Sequence, residues 1–117
     1  MIIQGAIRPL ATNPVYCASK AALDALTKTM AVEFGKHKIR VLGLNAGVVY
    51  TNMGGASMLL PEDLDKLILK MFAGRHPLGK SVIPMEDVVN TLLFMASGIA
   101  GMMTGNGVIL DGGYTAT

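Results

Sequence analysis

Between residues 88 and 110 the chain carries no charged side chain. A run of that length is either a membrane span or a buried layer of a compact domain. Its polar and glycine content decides between them. Asn90, Thr91, Ser97, Thr104, Asn106 and four glycines interrupt it. Gly98 and Gly101 read as turn formers, and a turn inside a lipid-exposed span leaves backbone groups unsatisfied. The run therefore reads as a helix with Val88, Val89, Leu92, Leu93 and Ala96 on its buried face, then a turn, then a strand at 107–110. With 51% apolar and 15% charged residues in 117, the chain has the profile of a single core-forming domain rather than a disordered tail.

The rest of the chain alternates in the same way. Leu23, Leu26, Met30 and Phe34 recur at steps of three and four and mark a helical face. Ala18, Ala22, Ala25 and Thr29 form a second, small-residue face, so this helix is expected to be buried on two sides. Gly35 is a plausible stop. Residues 39–44 suit a strand buried on both faces of a parallel sheet. Asn45-Ala46-Gly47 and Gly54-Gly55 read as loop. Pro61, Glu62 and Asp63 open a helix over 61–72, with Leu64, Leu67, Ile68 and Met71 as its apolar positions. Residues 76–79 read as loop, and Pro84-Met85-Glu86 opens the next helix. The order of helix, strand, loop, helix, helix, strand is that of an α/β domain with parallel strands.

Several function classes are disfavoured. The formal charge is +2 and the basic residues are scattered, so no basic stripe suggests nucleic acid. Cys17 is the single cysteine, which removes a disulfide framework and a cysteine metal site and fits a reducing, cytoplasmic setting. No His or Cys stands at metal-ligand spacing, so no metal is expected. His37 and His76 read as solvated loop residues. The methionines, Met53, Met58 and Met71 among them, read as core filler, with two or three available to line an apolar pocket. No signal peptide is legible in residues 1–14.

Tyr16 and Lys20 carry the chemistry. Four residues apart on a helix, they share one face. An ammonium about 4 Å from a phenol, at an effective dielectric of about 20, is worth roughly 4 kcal/mol. That would bring a tyrosine hydroxyl from its ordinary value of about 10 toward about 7, where it serves as a proton donor.

Taken with its neighbours, the pair resembles the short-chain dehydrogenase/reductase family, specifically its C-terminal half. The marks, in order, are Tyr16-x-x-x-Lys20, Glu33-Phe34-Gly35, Ile39-Arg40-Val41, Asn45-Ala46-Gly47-Val48-Val49-Tyr50-Thr51, Pro77-Leu78-Gly79-Lys80, Thr104-Gly105 and Asp111-Gly112-Gly113. Within the family, residues 15–20, 38–41 and 48–54 resemble the dicarbonyl/L-xylulose reductases. The resemblance implies one partial domain over 1–117: the C-terminal part of a Rossmann-like, doubly wound parallel sheet, with two strands and three to four helices kept. It implies hydride transfer from NADPH to a small carbonyl substrate. Tyr16 would protonate the carbonyl oxygen, and Lys20 would lower the Tyr16 pKa and bind the nicotinamide ribose. Val49 and Thr51 match positions that hold the carboxamide and neighbouring phosphate. Leu10, Asn13 and residues 52–60 would face substrate, and the helix from Pro61 would be a mobile lid.

Three departures accompany the match. The family's Gly-rich pyrophosphate turn is not in the sequence. Asn45-Ala46-Gly47 resembles the later Asn-Pro-Gly loop, with alanine in place of proline. The catalytic serine position, thirteen residues before Tyr16, is Ile3, which cannot donate a hydrogen bond to a carbonyl oxygen. The expectation is a truncated chain, inactive alone, with one bare apolar edge on the strand at 39–44. It would form a homo-oligomer or associate with full-length relatives. The alternative reading is a non-catalytic interaction fragment that pairs with such relatives.

Overall fold

The computed structural model describes residues 2–3, 14–49, 70, 74–79 and 82–117. Among these, three parallel strands form one sheet in the order β1 (Ile2–Ile3), β2 (Gly43–Ala46), β3 (Gly107–Leu110). Ile2 lies opposite Asn45 and Ile3 opposite Ala46, while Gly43 to Ala46 match Gly107 to Leu110 one for one. Two helices frame it, α1 (Pro14–Gly35) and α2 (Met85–Ala96), with short 3-10 turns at Gly98–Ala100 and Tyr114–Ala116. The expected helix over 61–72 lies outside the described residues apart from Lys70, which is helical.

Alternation along β2 places the helices on opposite faces. Leu44 joins Ile83, Val88 and Met95 in the core, with Leu42, Val108 and Leu110 packed around them. Its neighbour Asn45 points the other way, toward Gly107 and Asp24 of α1. The sheet is doubly wound, as expected. It has three strands rather than two, and β1 covers part of the β2 edge that the sequence suggested would be bare.

Both helix faces differ from the apolar pattern. On α1 the buried residues are Cys17, Thr27 and Ala31, whereas Ala18, Ala22, Ala25 and Thr29 are exposed and Leu26 is half exposed. Close approach explains this: a Cβ at Gly105 would stand 3.3 Å from that of Ala31, so the side toward the chain's interior takes small residues. On α2, Val88 and Met95 are buried, while Val89, Leu92, Leu93 and Phe94 face outward.

The strand expected at 39–44 begins later, because residues 40 and 41 spend their hydrogen bonds elsewhere. The Thr104 hydroxyl accepts from the Val41 N–H at 3.1 Å, and the Gly105 N–H donates to the Val41 carbonyl at 2.8 Å. The Arg40 guanidinium reaches the end of α2. Nη1 donates to the Met95 and Ala100 carbonyls at 2.8 and 3.0 Å, and Nη2 to those of Ala96 and Ser97 at 3.3 and 3.0 Å. Asn45 and Ala46, read as loop, end β2 instead. Asn45 is 3% exposed, its Oδ1 accepts no hydrogen bond, and its Nδ2 lies 2.5 Å from where a Cβ at Gly107 would stand.

α1 closes with Lys38 in the left-handed region at φ 59° and an N–H to carbonyl bond from Ile39 back to Phe34. The charge-free run resolves into α2, a 3-10 turn and β3. No helix among the described residues is long and apolar enough to cross a membrane.

A hydrogen bond to a charged group contributes about 1.5–3 kcal/mol net, and contributions of neighbouring bonds to one guanidinium do not add. Arg40→Ala leaves several helix-end carbonyls without a donor and is expected to cost about 2–3 kcal/mol, read as a lower denaturant midpoint. Arg40→Lys recovers less than half of this, because an ammonium cannot span the carbonyls as a planar fork does.

Candidate active site

Parallel pairing puts the carboxyl ends of all three strands at one edge of the sheet, and in open α/β sheets ligands bind outside that edge. α1 follows β1 and precedes its parallel neighbour β2, so it runs back antiparallel to them and starts at the carboxyl edge. Tyr16 and Lys20 stand in its first two turns. Val49 follows β2 at the same edge, tied down by a parallel bridge to Ile83 and by the Ile83 N–H to Val48 carbonyl bond of 2.7 Å. Asp111 follows β3 there as well.

Lys20 does not approach the Tyr16 hydroxyl as the spacing suggested. Its Nζ lies 5.4 Å from the Tyr16 ring centroid, over the ring, which is a cation–π contact. The consequence is a reversal of the expected electrostatics. Partial burial pushes the Tyr16 hydroxyl above its ordinary value, and the negative charge that the adjacent Cys17 thiol can carry pushes the same way. In this arrangement Tyr16 holds its proton firmly.

The other expected positions divide. Thr51, Leu10 and Asn13 lie outside the described residues, as do 52–60 and the helix from Pro61. Ile3 is placed only as a strand residue opposite Ala46.

A second cluster at this edge escaped the sequence reading. His76, expected in solvent, is 4% exposed, with its ring 5.4 Å from that of Tyr114. Asp111 is 5% exposed. It accepts hydrogen bonds from the Gly113 N–H (2.9 Å), the Thr115 N–H (2.8 Å) and the Thr115 hydroxyl (2.7 Å). Burial alone would raise the Asp111 carboxyl. The Thr115 and Gly113 hydrogen bonds and the charge His76 can carry outweigh it and hold the group below the usual carboxylate range. The only signal in the sequence was Asp111-Gly112-Gly113, one of the marks that carry the family resemblance.

A parallel sheet with helices on both faces, doubly wound, is a Rossmann-like fold. A family model described as enoyl-(acyl carrier protein) reductase matches residues 1–115. L-xylulose reductase of Bos taurus is 46% identical over 114 residues, which cover 97% of this chain and 44% of that protein. A short-chain type dehydrogenase/reductase from Mycobacterium marinum superposes with a TM-score of 0.72 at 36% identity, over 87% of this chain and 37% of that one. L-sorbose reductase from Gluconobacter frateurii, solved with NADPH and L-sorbose, gives a TM-score of 0.82 at 26% identity, over 99% and 46%. The chain belongs to the short-chain dehydrogenase/reductase family, and it spans under half the length of the relatives it matches.

Two titrations test the electrostatics. The difference in tyrosinate absorbance between the chain and Tyr16→Phe is expected to show a midpoint above about 10, and Cys17→Ala moves it part of the way back. For Asp111, a lowered folded pKa means stabilisation that is complete above the ordinary carboxylate value and lost as pH falls through the lowered one. Asp111→Asn should therefore narrow the stability difference from the parent chain as the solution is acidified, measured by denaturant midpoints across that range.

Proposed function

We propose that Tyr16 and Lys20 are the catalytic pair of an NADPH-dependent carbonyl reductase acting on a dicarbonyl or an L-xylulose-like sugar in the cytoplasm. The observation that carries the reading is their placement together at the start of α1, at the carboxyl edge of the sheet. The identity to an L-xylulose reductase supports the substrate class.

The residues present fit one end of the cofactor. Lys20 places an ammonium over the Tyr16 ring, and Val49 is bridged to Ile83 at the same edge, which suits a nicotinamide and its ribose. A Gly-rich turn for the pyrophosphate is not in this sequence. When bound, the cofactor supplies the hydride. The part this chain's own residue would take is the proton: the Tyr16 hydroxyl would give it to the carbonyl oxygen as the alcohol forms, leaving a tyrosinate to be reprotonated from solvent. Tyr16 is protonated and ready in the ground state. What it lacks is acidity, and Lys20 supplies it by moving from the ring face to the phenol oxygen, where a positive charge favours the phenolate. Ile3, at the position where the resemblance expects a serine, offers no side-chain hydrogen-bond donor for the carbonyl oxygen. We infer that the 117-residue chain by itself is inactive.

A second reading rests on exposed apolar surface. Val89, Leu92, Leu93 and Phe94 on α2 are all more than two-fifths exposed. A groove of about 370 Å³ opens between Arg40, Leu42, Leu92, Met95 and Ala96. Such a surface suits association, and the reading is a non-catalytic chain that pairs with full-length relatives or with its own copies.

The chain alone is expected to show no NADPH oxidation with diacetyl or L-xylulose. Joined to the N-terminal half of a mammalian L-xylulose reductase, it should turn over. Tyr16→Phe in that chimera is expected to lower kcat by about 10²–10⁴, and undiminished turnover would remove Tyr16 from the mechanism. A change in the size or activity of a full-length relative on mixing with an inactive chain would favour pairing.

A further inference from the structure

Loop 74–79 is almost entirely exposed: Gly74, Arg75, Pro77, Leu78 and Gly79 all face solvent, with Leu78 at 78%. Its one buried member is His76. The turn after β3 packs against it through several independent features. The His76 ring lies against Tyr114, itself 2% exposed, at an interplanar angle of 37°. The Leu78 N–H donates to the Gly112 carbonyl at 3.3 Å. Gly112 and Gly113 both take left-handed conformations, at φ 62° and 89°, which spare the turn a Cβ penalty. They also let the loop come close. A Cβ at 112 would stand 3.3 Å from His76 Cδ2, and one at 113 would stand 2.9 Å from Pro77 Cγ. The turn is stiffened from within by the three bonds to the Asp111 carboxylate.

We propose that the turn 111–117 is a clasp that holds loop 74–79 at the carboxyl edge of the sheet, with His76 as its buried pin, so that the two segments are held and released as one unit. The loop leads from the residues after β2 into α2, and the clasp fixes its position there without a strand or helix of its own. Its functional weight rests on the reductase reading. In that reading the clasp fixes the loop at the edge where Tyr16, Lys20 and Val49 stand, making His76 and Tyr114 positioning residues for substrate affinity. The physical claim of coupled release stands apart from that reading.

Coupled release is reciprocal, because two segments that stabilise each other do so equally in both directions. Amide hydrogen exchange on the 117-residue chain reads it. Tyr114→Ala is expected to speed exchange at the Leu78 and Gly79 amides by about tenfold or more, with α1 amides changing less than about twofold. His76→Ala is expected to speed the Thr115 and Ala116 amides to a similar degree. Thr115→Ala removes one bond to the carboxylate while leaving both rings in place. It gives a smaller rise in both segments and decides the matter if the ring variants do not fold. Loop amides indifferent to the tail variants, or α1 amides rising in step with them, would overturn the proposal. In the reductase chimera, His76→Ala is expected to raise KM several-fold with kcat nearly unchanged. An equal fall in kcat and kcat/KM would show that His76 has no positioning role even where the exchange coupling holds.

Discussion

Helix α2 ends without a basic residue in its last turn, and its carbonyl end is answered by a cation from more than fifty residues away. The Arg40 guanidinium collects the Met95, Ala96, Ser97 and Ala100 carbonyls, which neutralises the negative end of the helix dipole and covers the start of the 3-10 turn. That single side chain joins the segment entering β2 to the junction that leads into β3. The rest of the sheet follows from it. With Arg40 fixed, Val41 meets Thr104 and Gly105, the Gly43 N–H meets the Asn106 carbonyl, and β2 and β3 fall into register. Leu44 then lands opposite Val108 with Val88 and Met95 above it.

Punctuation was legible in the sequence where it was local. β3 was read at 107–110 and the second helix at Pro84-Met85, because turn residues and a helix opening are written in neighbouring positions. Which face each helix buries was not. Apolar spacing says which residues can be covered, but the covering surface belongs to another segment. On α1 the close approach of Gly105 selects Ala31 over the bulkier stripe. Leu92 and Leu93 have the right chemistry for a core, yet no described part of the chain lies over them. β2 was displaced because Arg40 and Val41 find partners sixty positions on. His76 shows the same limit: nothing next to it in sequence announces Tyr114.

The candidate site divides along the same line. That Tyr16 and Lys20 share a helix face is a matter of spacing, and the helix delivers it. The direction of the Tyr16 shift depends on a few ångströms within that face. An ammonium over the ring leaves the phenol oxygen to the effects of burial and of Cys17. The electrostatics of the pair are therefore set by where the ammonium sits within that face, which spacing alone does not fix.

Gly107 and Asn45 leave a different kind of mark. The Asn45 amide occupies the space in which any side chain at 107 would begin, while its own Oδ1 is buried without a partner, a state that costs about 1–3 kcal/mol. Each position thus holds the other in place. A larger residue at 107 is blocked while asparagine stays, and a smaller residue at 45 leaves a hollow while glycine stays. A change at 107 is therefore uphill while asparagine stays, whereas a change at 45 trades the hollow against relief of the unpartnered amide. Among relatives of this chain, a side chain at 107 should therefore occur only where 45 is no longer asparagine, which makes the unpartnered amide in the sheet a record of the order in which the sequence could move.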